Sequence, residues 1–148
     1  SKEMNARSAI LCFDPHPRQY FTKSFENFTI IDEKTKINLF NYLKINYYIL
    51  LKFDSVLASL SPHEFIKNIL FRKLKIKYLT VGHDFKFGKD TQGDINLLKQ
   101  LSSKYNYKIS IIDPVLEQFN RDMRNVKKLD LDLIVILEKN FHLSRKNL

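Results

Sequence analysis

The chain has 148 residues, of which 44% are hydrophobic and 28% charged, and its formal net charge is +9. This length fits a single domain with a buried core, and the composition is that of a globular protein rather than a disordered one. No apolar run approaches the roughly eighteen residues of a membrane span, and the single cysteine, Cys12, excludes an internal disulfide and favours a reducing compartment. We therefore expect a cytoplasmic protein.

The basic charge alone does not identify a partner. A charge of +9 is compatible with binding to nucleic acid, to a membrane surface or to a phosphorylated small molecule. The lysines are spread along the whole chain, however, and no RNA-binding aromatic motif accompanies them. A lysine-rich surface explains the charge, so we expect neither nucleic acid nor a membrane as partner; a basic nucleic-acid binder remains an alternative.

In chain order, the first half contains two predicted strands and two predicted helices. Residues 8–13 form a short apolar strand that stops at the sequence DPHP, because proline interrupts regular structure. A helix over 33–44 and a buried strand over 47–53 follow. Ser61 then caps a helix that has proline at its first position and glutamate three residues after the cap. The predicted apolar face of this helix consists of Phe65, Ile66, Ile69, Leu70 and Leu74.

The second half repeats the alternation of strand and helix. A strand over 77–82 runs into a glycine-containing loop, a helix covers 94–105, and a strand over 107–113 is closed by Pro114. Strands separated by helices predict a parallel α/β sheet with helices on both faces. Ligands of such sheets bind beyond the carboxyl ends of the strands, where both unusual loops lie.

The loop over residues 80–94 (TVGHDFKFGKDTQGD) contains all 3 glycines of the chain. Glycine suits positions with positive φ or with backbone lying against a ligand. Asp84 could accept hydrogen bonds from a ribose or a base edge, and one of Phe85 and Phe87 could offer its ring face to a flat ligand. The alternative is a glycine-flanked turn with both phenylalanines in the core.

The DPHP loop is stiffened by Pro15 and Pro17, which hold His16 in a turn. His16 could donate a hydrogen bond to a phosphate, and Arg18 could pair with one. The alternative is a rigid strand exit with a solvent-exposed histidine. The sequence contains neither metal-ligand spacing nor a recognisable Ser/His/Asp triad, so no metal site is predicted.

Four stretches resemble, in their order and spacing, the N-terminal FMN adenylyltransferase domain of bacterial bifunctional riboflavin kinase/FAD synthetases. They are ILCFDPHPRQYF, LLKFDSVLASLSPHEFIKNIL, YLTVGHDFKFGKDTQGDINLL and YKISIIDPV, and they cover most of residues 8–115. The resemblance implies a Rossmann-like nucleotidyltransferase fold. It also implies a reaction in which AMP passes from ATP to FMN, with Mg²⁺, giving FAD and pyrophosphate. In the family this domain is normally fused to a C-terminal riboflavin kinase domain.

The resemblance also implies a set of substrate-binding residues. It puts the PHP turn and Phe21 beside the flavin, has Asp84 and Phe87 line the nucleotide and flavin pocket, and lets the backbone at two glycines approach the ligand. The complete predicted set is Phe13, Pro15, His16, Pro17, Phe21, Gly82, Asp84, Phe85, Phe87 and Gly88.

The chain departs from the family pattern in two places. The family's HxGH segment does not occur before Ser8, and residues 128–136 (KLDLDLIVI) stand where an ISSTxxR motif belongs, although 137–148 resemble the helix that follows it. Divergence into an apolar strand and a frameshifted gene segment both explain the second departure. We therefore expect a single partial domain over 1–148, incomplete at its N-terminus and atypical over 128–148, with no assigned catalytic residues and little activity. The alternatives are a non-catalytic flavin- or nucleotide-binding remnant and a nucleotidyltransferase for another phosphorylated substrate.

Overall fold

A computed structural model describes residues 6–23 and 32–112, together with the backbone of residues 133–137. Within these ranges, no helix is both long and apolar enough to cross a membrane. The strands are β1 (Arg7–Asp14), β2 (Tyr47–Lys52), β3 (Ile76–Gly82), β4 (Lys108–Ile112) and β5 (Leu133–Leu137). The α-helices are α1 (Pro17–Thr22), α2 (Glu33–Tyr42), α3 (Ser55–Ser59), α4 (Pro62–Glu64) and α5 (Ile95–Tyr105). Helix α4 continues as a π-helical segment, Phe65–Lys73, and a 3₁₀ turn covers Lys89–Thr91.

The strands form one sheet in the order β2-β1-β5-β3-β4. Strand β1 is parallel to β2, and β3 is parallel to β4. Strand β5 lies between the two pairs and is antiparallel to both β1 and β3. Because both neighbours run opposite to β5, β1 and β3 point in the same direction. Their carboxyl ends therefore lie at the same edge of the sheet.

The expected α/β architecture is confirmed, but the sheet is mixed rather than wholly parallel. The parallel expectation holds for β1 with β2 and for β3 with β4. It does not hold for β5, whose sequence LIVIL is a continuous apolar run. Such a run predicts a buried strand and carries no information about strand direction, which is set by the path of the connecting chain.

Helices cover both faces of the sheet, as predicted. Side chains alternate along β1, so Ala9 and Leu11 belong to one core cluster while Ile10 and Cys12 belong to another. The larger cluster includes residues of the π-helical segment and α5, and the smaller one includes Phe40 of α2. The predicted apolar face of the helix after Ser61 is buried at all its positions, which are Phe65, Ile66, Ile69, Leu70 and Leu74.

Two short helices were not predicted. Helix α1 begins at Pro17, so the second proline of DPHP starts a helix rather than preventing one. Proline suits a first helical position because the N–H that it lacks has no partner there. Helix α3 begins after Asp54, whose side chain accepts hydrogen bonds from the Val56 and Leu57 N–H groups. Of the predicted helix over 137–148, only Leu137 is described, as the last residue of β5, and Pro114 lies outside the described residues.

Carboxylates take part in the N-terminal caps of α2, α4 and α5, as Asp54 does at α3. Asp32 accepts a hydrogen bond of 2.8 Å from the Thr35 N–H, Glu64 accepts one of 2.7 Å from the Ser61 hydroxyl, and Asp94 accepts one of 3.0 Å from the Leu97 N–H. These hydrogen bonds favour the ionised form. They hold the pKa of Asp32 and Asp94 below the ordinary 3.8, and the pKa of Glu64 below the ordinary 4.5.

The protein should become less stable in acid for this reason. A carboxyl whose pKa is depressed by folding contributes stability above its unfolded pKa and loses that contribution as the pH falls through the folded pKa. We expect the urea midpoint to drop as the pH is lowered from about 5 to below about 4. The urea midpoint of the variant Asp94→Asn should fall less over this pH interval, because asparagine still caps the helix but does not titrate. Equal losses in the two proteins would contradict this account of Asp94.

Candidate functional site

A pocket of about 360 Å³ opens at the carboxyl edge of the sheet. Its volume is in the range of small-molecule sites. Both predicted loops contribute to it, as do the segment after β2 and the start of the π-helical segment. The lining residues are Phe13, Pro17, Phe21, Phe53, Leu57, Ala58, Phe65, Phe85, Lys86, Phe87, Gly88, Asp90 and Thr91.

The phenylalanines of the pocket form a continuous network of ring contacts. The Phe65 ring centroid lies 6.3 Å from that of Phe13 and 5.6 Å from that of Phe87. Phe87 stacks on Phe85 at 5.5 Å with an angle of 16° between the ring planes. At the other end, the Phe53 ring contacts Phe13 and Phe21 edge-on, at 5.8 Å in each case. These separations are those of favourable aromatic pairs. Together the rings make an apolar wall suited to a flat aromatic ligand.

The pocket brings together most of the predicted substrate-binding residues. Those that line it are Phe13, Pro17, Phe21, Phe85, Phe87 and Gly88. Pro15, His16, Gly82 and Asp84 lie on the same two loops but are not among the lining residues. One pocket at one sheet edge therefore uses both loops, as the sequence predicted.

His16 has a structural task in the DPHP loop. The His16 Nδ1 atom accepts a hydrogen bond of 3.2 Å from the backbone N–H of Arg18. The backbone N–H of His16 donates to Gln19 Oε1 at 3.3 Å. These two bonds form a reciprocal cap at the start of α1. Because Nδ1 acts as an acceptor, this imidazole nitrogen is not the one that could donate to a phosphate.

Asp84 lies on the solvent side of the second loop. Its side chain is 55% exposed, and its Oδ1 atom is 3.9 Å from His83 Nδ1. Two backbone hydrogen bonds hold this loop, since the His83 N–H donates to the Ile112 carbonyl and the Phe85 N–H donates to the Gly82 carbonyl, both at 3.1 Å. A ligand would have to extend beyond the aromatic wall to reach the Asp84 carboxylate.

Two of the glycines allow the loop to pack closely against its surroundings. Gly88 has φ of +74°, and a Cβ atom there would lie 2.7 Å from the Pro62 nitrogen. A Cβ atom on Gly93 would lie 2.8 Å from the Phe87 ring. Gly93 and Phe87 also exchange backbone hydrogen bonds of 2.9 and 3.1 Å. Gly88 thus lets the loop pack against Pro62 at the start of α4, and Gly93 lets it pack against the Phe87 ring, so both shape one wall of the pocket.

Sequence reasoning missed several lining residues. Phe53 follows β2 directly, so the rule that placed the other loops at this edge could have included it. Leu57 and Ala58 belong to α3, which was not predicted. Asp90 and Thr91 adopt left-handed backbone conformations with φ of 53° and 54°. Such conformations are rare for threonine, and no sequence pattern here indicated them.

Comparison with known proteins identifies the family. A family model described as FAD synthetase matches residues 1–125. The chain belongs to the FAD synthetase family. A bifunctional riboflavin kinase/FMN adenylyltransferase from Buchnera aphidicola (subspecies Schizaphis graminum) is 32% identical over 98% of this chain and 45% of its own length. A Haemophilus influenzae protein of the same description is 31% identical over 71% of this chain and 34% of its own.

Other FAD synthetase relatives show the same limited coverage. An FAD synthetase from Listeria monocytogenes is 29% identical over 78% of this chain and 47% of its own length. The chain thus spans less than half of these curated relatives. A solved structure described as a macrolide-efflux protein from Streptococcus pneumoniae covers 75% of this chain at a TM-score of 0.56 and 20% identity. It matches over 36% of its own length, and this likeness concerns the fold alone.

Alanine at the loop glycines should separate their roles. Gly88→Ala and Gly93→Ala place a methyl group within 2.8 Å of Pro62 and of Phe87, so each should lower the unfolding free energy by about 1–3 kcal/mol. The matched control is Gly82→Ala, whose Cβ would meet Asp84 Oδ1 at 3.2 Å and which has no positive φ. Gly82→Ala should lower the unfolding free energy less than Gly88→Ala or Gly93→Ala does. Urea unfolding of the three variants checks this, and equal losses would refute the assigned packing role.

Proposed function

We propose that this chain carries the flavin-binding part of an FMN adenylyltransferase and holds the flavin ring of FMN in the aromatic pocket. The supporting observation is the convergence of both loop motifs on a single pocket with a continuous phenylalanine wall. Membership of the FAD synthetase family gives that pocket its expected ligand. A flat tricyclic ring stacks favourably on aromatic faces, whereas the phosphate of FMN needs a polar rim.

The proposed reaction is transfer of AMP from ATP to FMN. An oxygen of the FMN phosphate attacks the α-phosphorus of ATP, a new P–O bond forms, and the bond from the α-phosphorus to pyrophosphate breaks. Catalysis of such a transfer rests on positioning and on neutralising negative charge. In the described part of the pocket, the polar side chains available for this are Lys86, Asp90 and Thr91.

Magnesium fits this site as a partner of ATP rather than as a resident ion of a protein cage. The described residues contain no group of three or more His, Cys, Asp or Glu side chains arranged to hold a metal. Mg²⁺ is commonly held by one or two carboxylates together with substrate phosphates and water. Asp90 is the carboxylate of the pocket lining that would hold it, and the bound ion would neutralise phosphate charge.

The remaining features of the proposal concern the whole protein. We propose that residues 1–148 are one partial domain, which the single sheet built from β1 to β5 supports. The relatives described as bifunctional support fusion to a riboflavin kinase domain in the complete protein. The buried Cys12, the single cysteine of the sequence, is compatible with a cytoplasmic location. We expect no nucleic-acid partner, because the site proposed here is an apolar pocket.

A second candidate, binding without catalysis, is favoured by the composition of the pocket. Among its described lining residues, Lys86 is the single cation, and aromatic and aliphatic side chains dominate. This environment recognises a ring better than it stabilises a transferring phosphoryl group. Binding and turnover therefore need separate measurements.

Phe21 offers a direct test of flavin binding. It lines the pocket with 65% of its surface exposed, so Phe21→Ala should leave the fold intact. Loss of a stacking face should weaken FMN binding about tenfold, as followed by quenching of flavin fluorescence. The control Tyr42→Ala removes an 83% exposed aromatic residue that does not line the pocket and should bind FMN normally. Equal FMN affinities of Phe21→Ala and Tyr42→Ala would contradict the proposal that the flavin ring binds in this pocket.

We expect the 148-residue chain to make little or no FAD from FMN and ATP with Mg²⁺. Each missing donor to developing charge typically costs about a hundredfold or more in rate, and the described pocket offers few donors. Chromatographic detection of FAD checks this, with FMN binding measured on the same sample to show that the protein is folded. Turnover at the rate of an FAD synthetase such as the Listeria relative would overturn the expectation.

A further inference from the structure

The described lining of the pocket combines an apolar wall with one positively charged residue, Lys86. Lys86 lies between Phe85 and Phe87 in the sequence, and all three residues line the pocket. Phe85 and Phe87 stack on each other with an angle of 16° between the ring planes, so the backbone that carries Lys86 is held by rings on either side. The ammonium group is therefore attached to a fixed part of the wall, although its own side chain is 56% exposed.

A nearby carboxylate limits where this ammonium group can go. Lys86 Nζ lies 3.7 Å from Asp94 Oδ2. Asp94 is itself fixed, because it caps α5 and accepts hydrogen bonds from the Asn96 and Leu97 N–H groups at 3.0 Å. The ion pair is partly exposed, which makes it weak enough for a stronger anion to replace it. A dianionic phosphate is such an anion, since its charge-assisted hydrogen bonds exceed those of one partly exposed carboxylate.

Neighbouring cations do not share this position. Lys89 lies on the same loop but is not part of the lining, and its N–H is bonded to the Leu60 carbonyl at 2.8 Å. Arg18 lies next to Pro17 on α1, and it too is outside the lining. Among the described residues, the positive charge that a pocket ligand would meet is thus that of Lys86.

We propose that Lys86 binds the phosphate of the flavin ligand and makes the pocket select a phosphorylated flavin over an unphosphorylated one. This inference rests on the proposed function, because it takes the ring in the pocket to be a flavin. The phenylalanine wall contacts the ring, which is common to riboflavin and FMN, and so cannot distinguish them. The phosphate is the chemical difference between the two ligands, and the Lys86 ammonium group is positioned to bind it.

The test compares riboflavin and FMN as ligands of the whole 148-residue chain at low salt. Fluorescence titrations would be made with the unaltered protein and with Lys86→Met, Lys86→Arg and Lys89→Met. Methionine keeps the apolar stem and removes the charge, and arginine restores the charge. Lys89→Met has the same change in net charge on the same loop but alters no lining residue, which makes it the matched control.

We expect the unaltered protein to bind FMN roughly tenfold more tightly than riboflavin, the size of one charge-assisted contact. Lys86→Met should bind FMN as weakly as riboflavin while its riboflavin affinity stays unchanged, a pattern that general misfolding does not produce. Lys86→Arg and Lys89→Met should both keep the preference for FMN.

Two results would overturn the inference while leaving the proposed function standing. One is equal binding of FMN and riboflavin by the unaltered protein, and the other is an undiminished preference for FMN in Lys86→Met. Failure of the unaltered protein to bind either flavin would instead overturn the proposed function and this inference together.

Discussion

Phe65 is the residue on which the architecture of the pocket depends. It is 4% exposed at the start of the π-helical segment, and its ring contacts Phe13 at the end of β1 and Phe87 in the loop after β3. These two strands are not neighbours, because β5 lies between them. The carboxyl edge of the sheet therefore needs a third element to join its two loops. The buried ring of Phe65 provides that connection and becomes part of the pocket wall.

The apolar and the polar side chains of the pocket have different roles in this arrangement. Rings packed on one another cannot move independently, so the wall presents a fixed apolar shape to a ligand. The polar groups, Lys86, Asp90 and Thr91, all come from the loop after β3. Recognition of a ring and recognition of charge thus depend on different side chains. Such separation lets the affinity for the common part of a ligand and the discrimination between its substituents be altered by different substitutions.

The sequence predicted the order of β1 to β4 and of the longer helices between them, the core face after Ser61 and the meeting of two loops. Each of these depends on local periodicity or on a rule of parallel sheets. It predicted only part of the pocket lining, and it did not separate the loop residues that line the pocket from those that do not. His16 was a candidate phosphate donor, and its Nδ1 atom instead accepts the Arg18 N–H in the cap of α1, which leaves only Nε2 as a possible donor. Gly88 was expected to face a ligand, yet its missing Cβ also makes room for Pro62, a contact between segments remote in sequence. Strand direction at β5 likewise depends on the chain path and not on its apolar residues.

The central position of β5 has a consequence for how the chain acquires its structure. Leu11 of the first strand pairs with Leu133 of the fifth, so closing the middle of the sheet requires contacts between residues very far apart along the chain. Long-range pairing raises contact order and slows folding. During synthesis, β1 to β4 leave the ribosome before β5. Until β5 is made, the edges of β1 and β3 that later pair with it have no strand partner. Unpaired strand edges are points of aggregation, so the nascent chain passes through a stage at which it depends on rapid completion or on a chaperone.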